Sequence, residues 1–143
     1  TTLHLRNFEL WQLALVGFLL QDLEDGLIRL GMGKSRGLGM VSSEVKKVRL
    51  DFLGPKAPQV SNGHLALCGV GSLFDDAERY RIVEPDVVDV PFDDELKSNG
   101  VRTTAIFSGD SFPWSEVAER WVSHAKEYQK SEAMKRYREE RPR

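Results

Sequence analysis

A chain of 143 residues that is 41% hydrophobic has the size and apolar content of one ordinary domain with a buried core. Its net charge of −2, from 20 basic and 22 acidic side chains, excludes a uniformly basic or acidic polyelectrolyte. A lone cysteine, Cys68, excludes an intrachain disulfide, and with no secretory-type segment at the start it points to a reducing cytoplasm.

Residues 1–6 alternate Leu3 and Leu5 with Thr2, His4 and Arg6, the pattern of a short strand. Asn7 suits a helix N-cap, and residues 8–25 are apolar around most of a helical circumference, which predicts a largely buried helix. The apolar run 10–23 is broken by Gln12, Gln21 and Asp22 and is too short to span a bilayer. Gly26 serves as the C-terminal cap. Asp22, Glu24 and Asp25 oppose the helix dipole there, so a cation such as Arg29 or one in the following loop is expected nearby.

Residues 27–30 read as a strand, and residues 40–52 as a longer one after a glycine-rich stretch. Val41, Ser43 and Val45 share one parity on that strand while Val48, Leu50 and Phe52 share the other, which predicts a bulge near Lys46 and Lys47. The segment 54–58 ends this unit. Short strands are expected at 64–68, 80–83, 87–90 and 101–107 within an otherwise irregular stretch. Asp110 or Ser111 caps a final helix from about 112 towards 137, with Pro113 in its first turn and Trp114, Val117, Ala118, Trp121, Val122, Ala125 and Tyr128 as its apolar stripe. The mixture reads as α+β, with residues 1–54 as one unit and residues 55–143 as a C-terminal extension of the same domain.

Charge is segregated along the chain. Arg29, Lys34, Arg36, Lys46, Lys47 and Arg49 face one acid, Glu44, between positions 29 and 49, a balance of +5. Between positions 74 and 95, Asp75, Asp76, Glu78, Glu84, Asp86, Asp89, Asp93, Asp94 and Glu95 outweigh Arg79 and Arg81 by −7. Solvation, docking on a basic neighbour or holding a divalent cation would each suit that acidic segment.

The most informative stretch is Gly31-Met32-Gly33-Lys34-Ser35-Arg36-Gly37-Leu38-Gly39. A phosphate-cradling P-loop needs a glycine five positions before Gly33, where Ile28 stands, and a helix after the loop, where a strand is expected. The dinucleotide fingerprint fails for want of that same helix. A plain hairpin needs one or two residues of positive φ, and four glycines exceed that need. Glycines let a backbone approach a phosphodiester, amides and the Ser35 hydroxyl bond its oxygens, and Lys34 and Arg36 neutralise it. These residues therefore suit a polyanion without reading its sequence.

That loop, preceded by Asn7-Phe8-Glu9-Leu10-Trp11-Gln12 and Asp22-Leu23-Glu24-Asp25-Gly26 and followed by Met40-Val41, resembles the glycine-rich region of the RAMP superfamily of CRISPR-associated proteins, closest to the type III effector backbone subunits. The resemblance covers residues 7–52. It implies that residues 1–54 form the second half of a ferredoxin-like (RRM-like) unit, so that the chain is the C-terminal portion of a longer subunit. It further implies that Gly31, Gly33, Lys34, Ser35, Arg36, Gly37 and Gly39 lie at or near a guide RNA, with other RAMP subunits and target RNA as further partners. Family members that cut target RNA use an aspartate in the N-terminal half, so no catalytic residue is assigned here.

Two alternatives stay open. Another branch of the superfamily cuts repeat RNA by general acid-base chemistry with a histidine, for which His4 is the candidate before the loop. A structural assembly module whose loop packs on protein is the other. His4, His64, His124 and Cys68 show no metal-ligand spacing, and no cofactor is expected. Trp114 and Trp121 fall on one helix face, which suits a core or an interface better than base stacking.

Overall fold

A computed structural model describes residues 1–31, 39–73 and 86–130. Among them the chain forms two helices and two antiparallel three-stranded sheets: α1 (Leu10–Glu24), β1 (Lys47–Leu53), β2 (Val60–Ser61), β3 (His64–Cys68), β4 (Val87–Pro91), β5 (Lys97–Asn99), β6 (Arg102–Ser108) and α2 (Trp114–Lys130). One sheet runs β1-β6-β5 and the other β2-β3-β4. The α+β class holds. The strand expected at 80–83 and the last turns of the final helix lie outside the described residues.

One core joins all of these layers. Leu10, Leu13 and Ala14 of α1 meet Leu50 and Phe52 of β1, Leu65 and Leu67 of β3, Val90 of β4, Phe107 of β6 and Val117 of α2. Alternation explains the strand contributions. In β1 the pattern puts Leu50 and Phe52 inward with Arg49 and Asp51 outward, the signature of a sheet wet on one face. Burying a Leu or Phe side chain stabilises by about 1.5–3 kcal/mol, so these alternating positions fix the register that every outward residue inherits.

Helix α1 departs from its expected cap and depth. Asn7 adopts φ 49, in the left-handed region that asparagine tolerates, and the cap falls at Glu9, whose N–H donates to Gln12 Oε1 at 2.9 Å. The shift has a tertiary cause, because the Leu10 N–H donates to the Asp86 carboxylate at 3.0 Å across 76 residues of sequence. Only Leu10, Leu13 and Ala14 are buried, whereas Leu19 is 51% exposed, so α1 is sunk at its start and open towards its end. That end closes as expected. Gly26 takes φ 70, its N–H reaches Leu23 O, and Leu27 N–H reaches Asp22 O at 2.8 Å, the Schellman arrangement.

Three expected strands differ. Residues 1–6 and 27–30 form no strand, and Leu3 and Leu27 are 67% and 74% exposed. A strand-like residue pattern without a neighbouring strand to take its amides does not make a strand. The strand expected at 40–52 begins at Lys47, and residues 40–46 instead cross α1, where Ser43 Oγ donates to Leu20 O at 2.7 Å. The change of parity at Lys46 and Lys47 thus marks the start of the strand, and no bulge is needed. The unit expected over residues 1–54 therefore contributes one helix and one strand among the described residues.

The strands at His64–Cys68 and Arg102–Ser108 agree with expectation to within a residue. The stripe of α2 packs through Val117, with Trp114 and Trp121 partly buried against the core, whereas Val122 and Tyr128 of the expected stripe are 45% and 52% exposed. Trp121 meets Trp11 of α1 at 5.9 Å, and Trp11 stacks on His124 at 4.2 Å and 1°. Both tryptophans of α2 are thus packing groups that join the helices, the core reading of their spacing.

Candidate functional site

The glycine-rich stretch is legible at its neck. Leu30 N–H donates to Gly39 O at 2.9 Å, which brings the two ends of the loop together. Gly31 and Gly39 take φ 85 and 86, a backbone region that suits glycine and strains other residues. At Gly39 the requirement is also steric: a Cβ there would lie 2.1 Å from Leu30 O. Glycine at 39 is thus needed to close the loop, and glycine at 31 lets the chain turn out of the neck. Gly33, Lys34, Ser35, Arg36 and Gly37 lie outside the described residues, as do the loop cations expected to face the acidic end of α1.

The exit from the neck is fixed by packing. The Ser43 bond to Leu20 O pins residues 40–46 over α1, and Lys46 O accepts the Gly109 N–H at 3.0 Å. Between this segment, α1 and the start of α2 runs an open groove of about 370 Å³, walled by Gly17, Gln21, Glu24, Ser43, Trp114 and Ser115. A Cβ on Gly17 would lie 2.5 Å from the Trp114 ring, so the absence of a side chain lets that ring lie against α1. Around the neck Leu27, Leu30 and Met40 are 74%, 52% and 68% exposed, an apolar rim on a loop whose middle is polar.

Sequence reasoning counted Asp86 as one more acid of the 74–95 segment, yet it is the most distinctive charge in the structure. It is 2% exposed. Its carboxylate accepts the Leu10 N–H, Arg120 Nη2 stands 3.7 Å away, and its backbone O accepts both Gly69 N–H and Ser72 Oγ–H. Burial pushes its carboxyl up to about 6, against the Leu10 amide and Arg120, which both favour the ionised form. Gly69 makes the room, since a Cβ there would fall 1.7 Å from Asp86 Oδ2. Buried and with its carboxylate committed to a helix end, Asp86 is a structural cap. The one available signal was its place directly before the apolar strand Val87–Pro91.

The other candidates do not assemble a reaction centre. His4 lies in an exposed irregular segment, His64 contacts its own turn at Asn62 O, and His124 is packed on Trp11. Burial pushes the Cys68 thiol up to about 11, with the Asp86 charge adding to it, which makes it an inert core group. Among the described residues no group of three or more His, Cys, Asp or Glu is placed to hold a metal ion, and no helix is long and apolar enough to cross a membrane. Comparison with family models, with curated proteins and with solved structures gave no match.

Proposed function

We propose that this protein binds the backbone of a CRISPR guide RNA, as a non-catalytic RAMP-type subunit of a type III antiviral effector complex in the cytoplasm. The observation that carries the reading is the neck of the Gly31–Gly39 stretch, drawn together by the Leu30–Gly39 hydrogen bond, around a sequence that sets Lys34, Ser35 and Arg36 among glycines. A glycine-rich span gives phosphate oxygens access to backbone amides, and the two cations supply attraction that is blind to base identity. Neighbouring RAMP subunits and a target strand are the partners in this reading. The ferredoxin-like unit belongs to the proposal too: α1, loop and β1 keep the order that the family resemblance implies, and the strands expected on either side of α1 would have to be supplied in another way.

Single-stranded RNA binding by fluorescence anisotropy tests it. Lys34→Ala with Arg36→Ala is expected to weaken binding about equally for RNAs of different sequence and to lower its salt dependence. Unchanged affinity and salt dependence would remove the loop from the mechanism.

One observation favours a second reading, in which the loop docks on protein. The exposed Leu27, Leu30 and Met40 at the neck suit an apolar contact with a neighbouring subunit. Protection of residues 27–41 from hydrogen exchange by a protein partner, with none from RNA, is the outcome that selects it.

A further inference from the structure

The outer face of the β1-β6-β5 sheet is a second charged surface, separate from the glycine loop. Residues directly opposite in an antiparallel pair share a face. The register therefore places Lys47, Arg49, Asp51 and Leu53 of β1 with Arg102, Thr104, Ile106 and Ser108 of β6, and Lys97 and Asn99 of β5 beside them. Phe52 and Phe107 from the same strands turn the other way, into the core. The face thus carries Lys47, Arg49, Lys97 and Arg102 against one acid.

That acid is occupied. Asp51 Oδ1 accepts the Thr104 hydroxyl at 2.6 Å and the Arg49 Nε–H at 3.1 Å, and these contacts hold its carboxyl below the usual range, the Thr104 hydroxyl contributing most. Asp51 thus holds the Arg49 Nε–H while half of the Arg49 side chain stays in water. On β1, Lys47 and Arg49 are two residues apart, so their Cα atoms lie about 6.8 Å from each other, a separation of the same order as that of successive phosphates in an extended polynucleotide. Among the strand residues on this face none is aromatic, so the chemistry they offer is phosphate contact, not base stacking.

We infer that this face is a second contact surface for the phosphodiester backbone of single-stranded RNA, following the glycine loop along the chain. The inference rests on the RNA-binding reading. Charge complementarity selects the occupant: Lys47, Arg49, Lys97 and Arg102 stand on the face against one committed acid, which suits a polyanion. The eight residue steps from Gly39 to Lys47 span at most about 29 Å, so one strand of RNA leaving the loop reaches the face within a few nucleotides.

The test uses the full chain, fluorescein-labelled oligouridylate and oligoadenylate, and a salt titration. Lys47→Ala with Lys97→Ala and Arg102→Ala is expected to weaken binding of both RNAs about tenfold at low salt and to lower the salt slope by about 2, at about 0.7 per lost phosphate contact. Lys126→Ala, on the exposed side of α2, leaves both quantities unchanged, and Lys47→Arg with Lys97→Arg retains binding. If the triple variant fails to fold by circular dichroism, Lys47→Gln and Lys97→Gln singly report the same slope, each lower by about 0.7. An unchanged slope in the face variants, with binding lost in Lys34→Ala plus Arg36→Ala, overturns the face and leaves the loop reading standing. Absence of RNA binding by the unaltered chain overturns both. Polyglutamate of matched length displacing RNA at matched charge overturns the RNA assignment in favour of an acidic protein partner.

Discussion

Asp86 and the cations of the β1-β6-β5 face are opposite uses of charge within one small protein. Asp86 is 2% exposed and is held by a helix amide and an arginine, whereas the Arg49 side chain keeps half of its surface in water. Moving a carboxylate out of water is expensive, and only a committed hydrogen bond and a nearby cation make it tolerable. A solvated cation costs the fold almost nothing and stays available to a ligand. The comparison teaches where to look for each effect: substitutions at the first should move stability, substitutions at the second should move binding.

The largest expected effect is therefore at Asp86. Its replacement by Ala leaves the Leu10 N–H without its buried acceptor, removes the carboxylate from beside Arg120 and opens a small void beside Gly69, for a loss on the order of 2–4 kcal/mol by urea unfolding. Asp86→Asn, which keeps an oxygen acceptor, should lose less. The pH dependence separates them further. The folded carboxyl is raised from an ordinary 3.8 to about 6, so the native state holds the proton more tightly than the unfolded chain does. Its contribution to stability is then greatest below pH 4 and declines as pH rises from about 4 to about 6, by on the order of 2–3 kcal/mol. In Asp86→Asn that decline disappears from the stability profile. A profile indistinguishable from that of the unaltered chain would show that Asp86 is not the buried titrating group.

A smaller effect is expected at Gly39. Alanine there combines a φ of 86 with a contact against Leu30 O, at a cost of about 1–3 kcal/mol. If the neck frays instead of the fold, the loss appears as faster hydrogen exchange at Leu30 and weaker RNA binding with little change in the unfolding midpoint. The smallest effect belongs to the Arg49–Asp51 pair, a surface contact whose removal in Arg49→Ala should change stability by less than about 1 kcal/mol. Its consequence for RNA binding should exceed its consequence for the fold.

Legibility in the sequence followed the range of the interactions. The strand His64–Cys68 and the cap at Gly26 are set by alternation and turn chemistry, and each lies where the pattern placed it, while the stripe of α2 packs in its first half, through Trp114, Val117 and Trp121, and leaves Val122 and Tyr128 exposed. The start of α1 does not, because its cap is completed by Asp86 from another part of the chain. Residues 1–6 and 27–30 show the converse. Their pattern is that of strands, but a strand needs a partner edge that no local signal reveals. For the candidate site, Gly31 and Gly39 stand out through glycine excess and the family resemblance, and positive φ at both gives that excess a physical cause at the neck. The basic sheet face was hidden for a different reason: Lys47 and Arg49 were counted with the loop cations, while Lys97 and Arg102 come from a separate hairpin and join them only through the register with β6.

The most direct test of the central claim is the salt dependence of single-stranded RNA binding by the unaltered chain and by Lys34→Ala with Arg36→Ala. Guide-backbone binding predicts measurable affinity at low salt, equal across sequences, with the double variant weaker and its slope lower by about 1.4, at about 0.7 for each of the two lost contacts. An unaltered chain that leaves RNA free at low salt, or a double variant with the same affinity and the same slope, contradicts it.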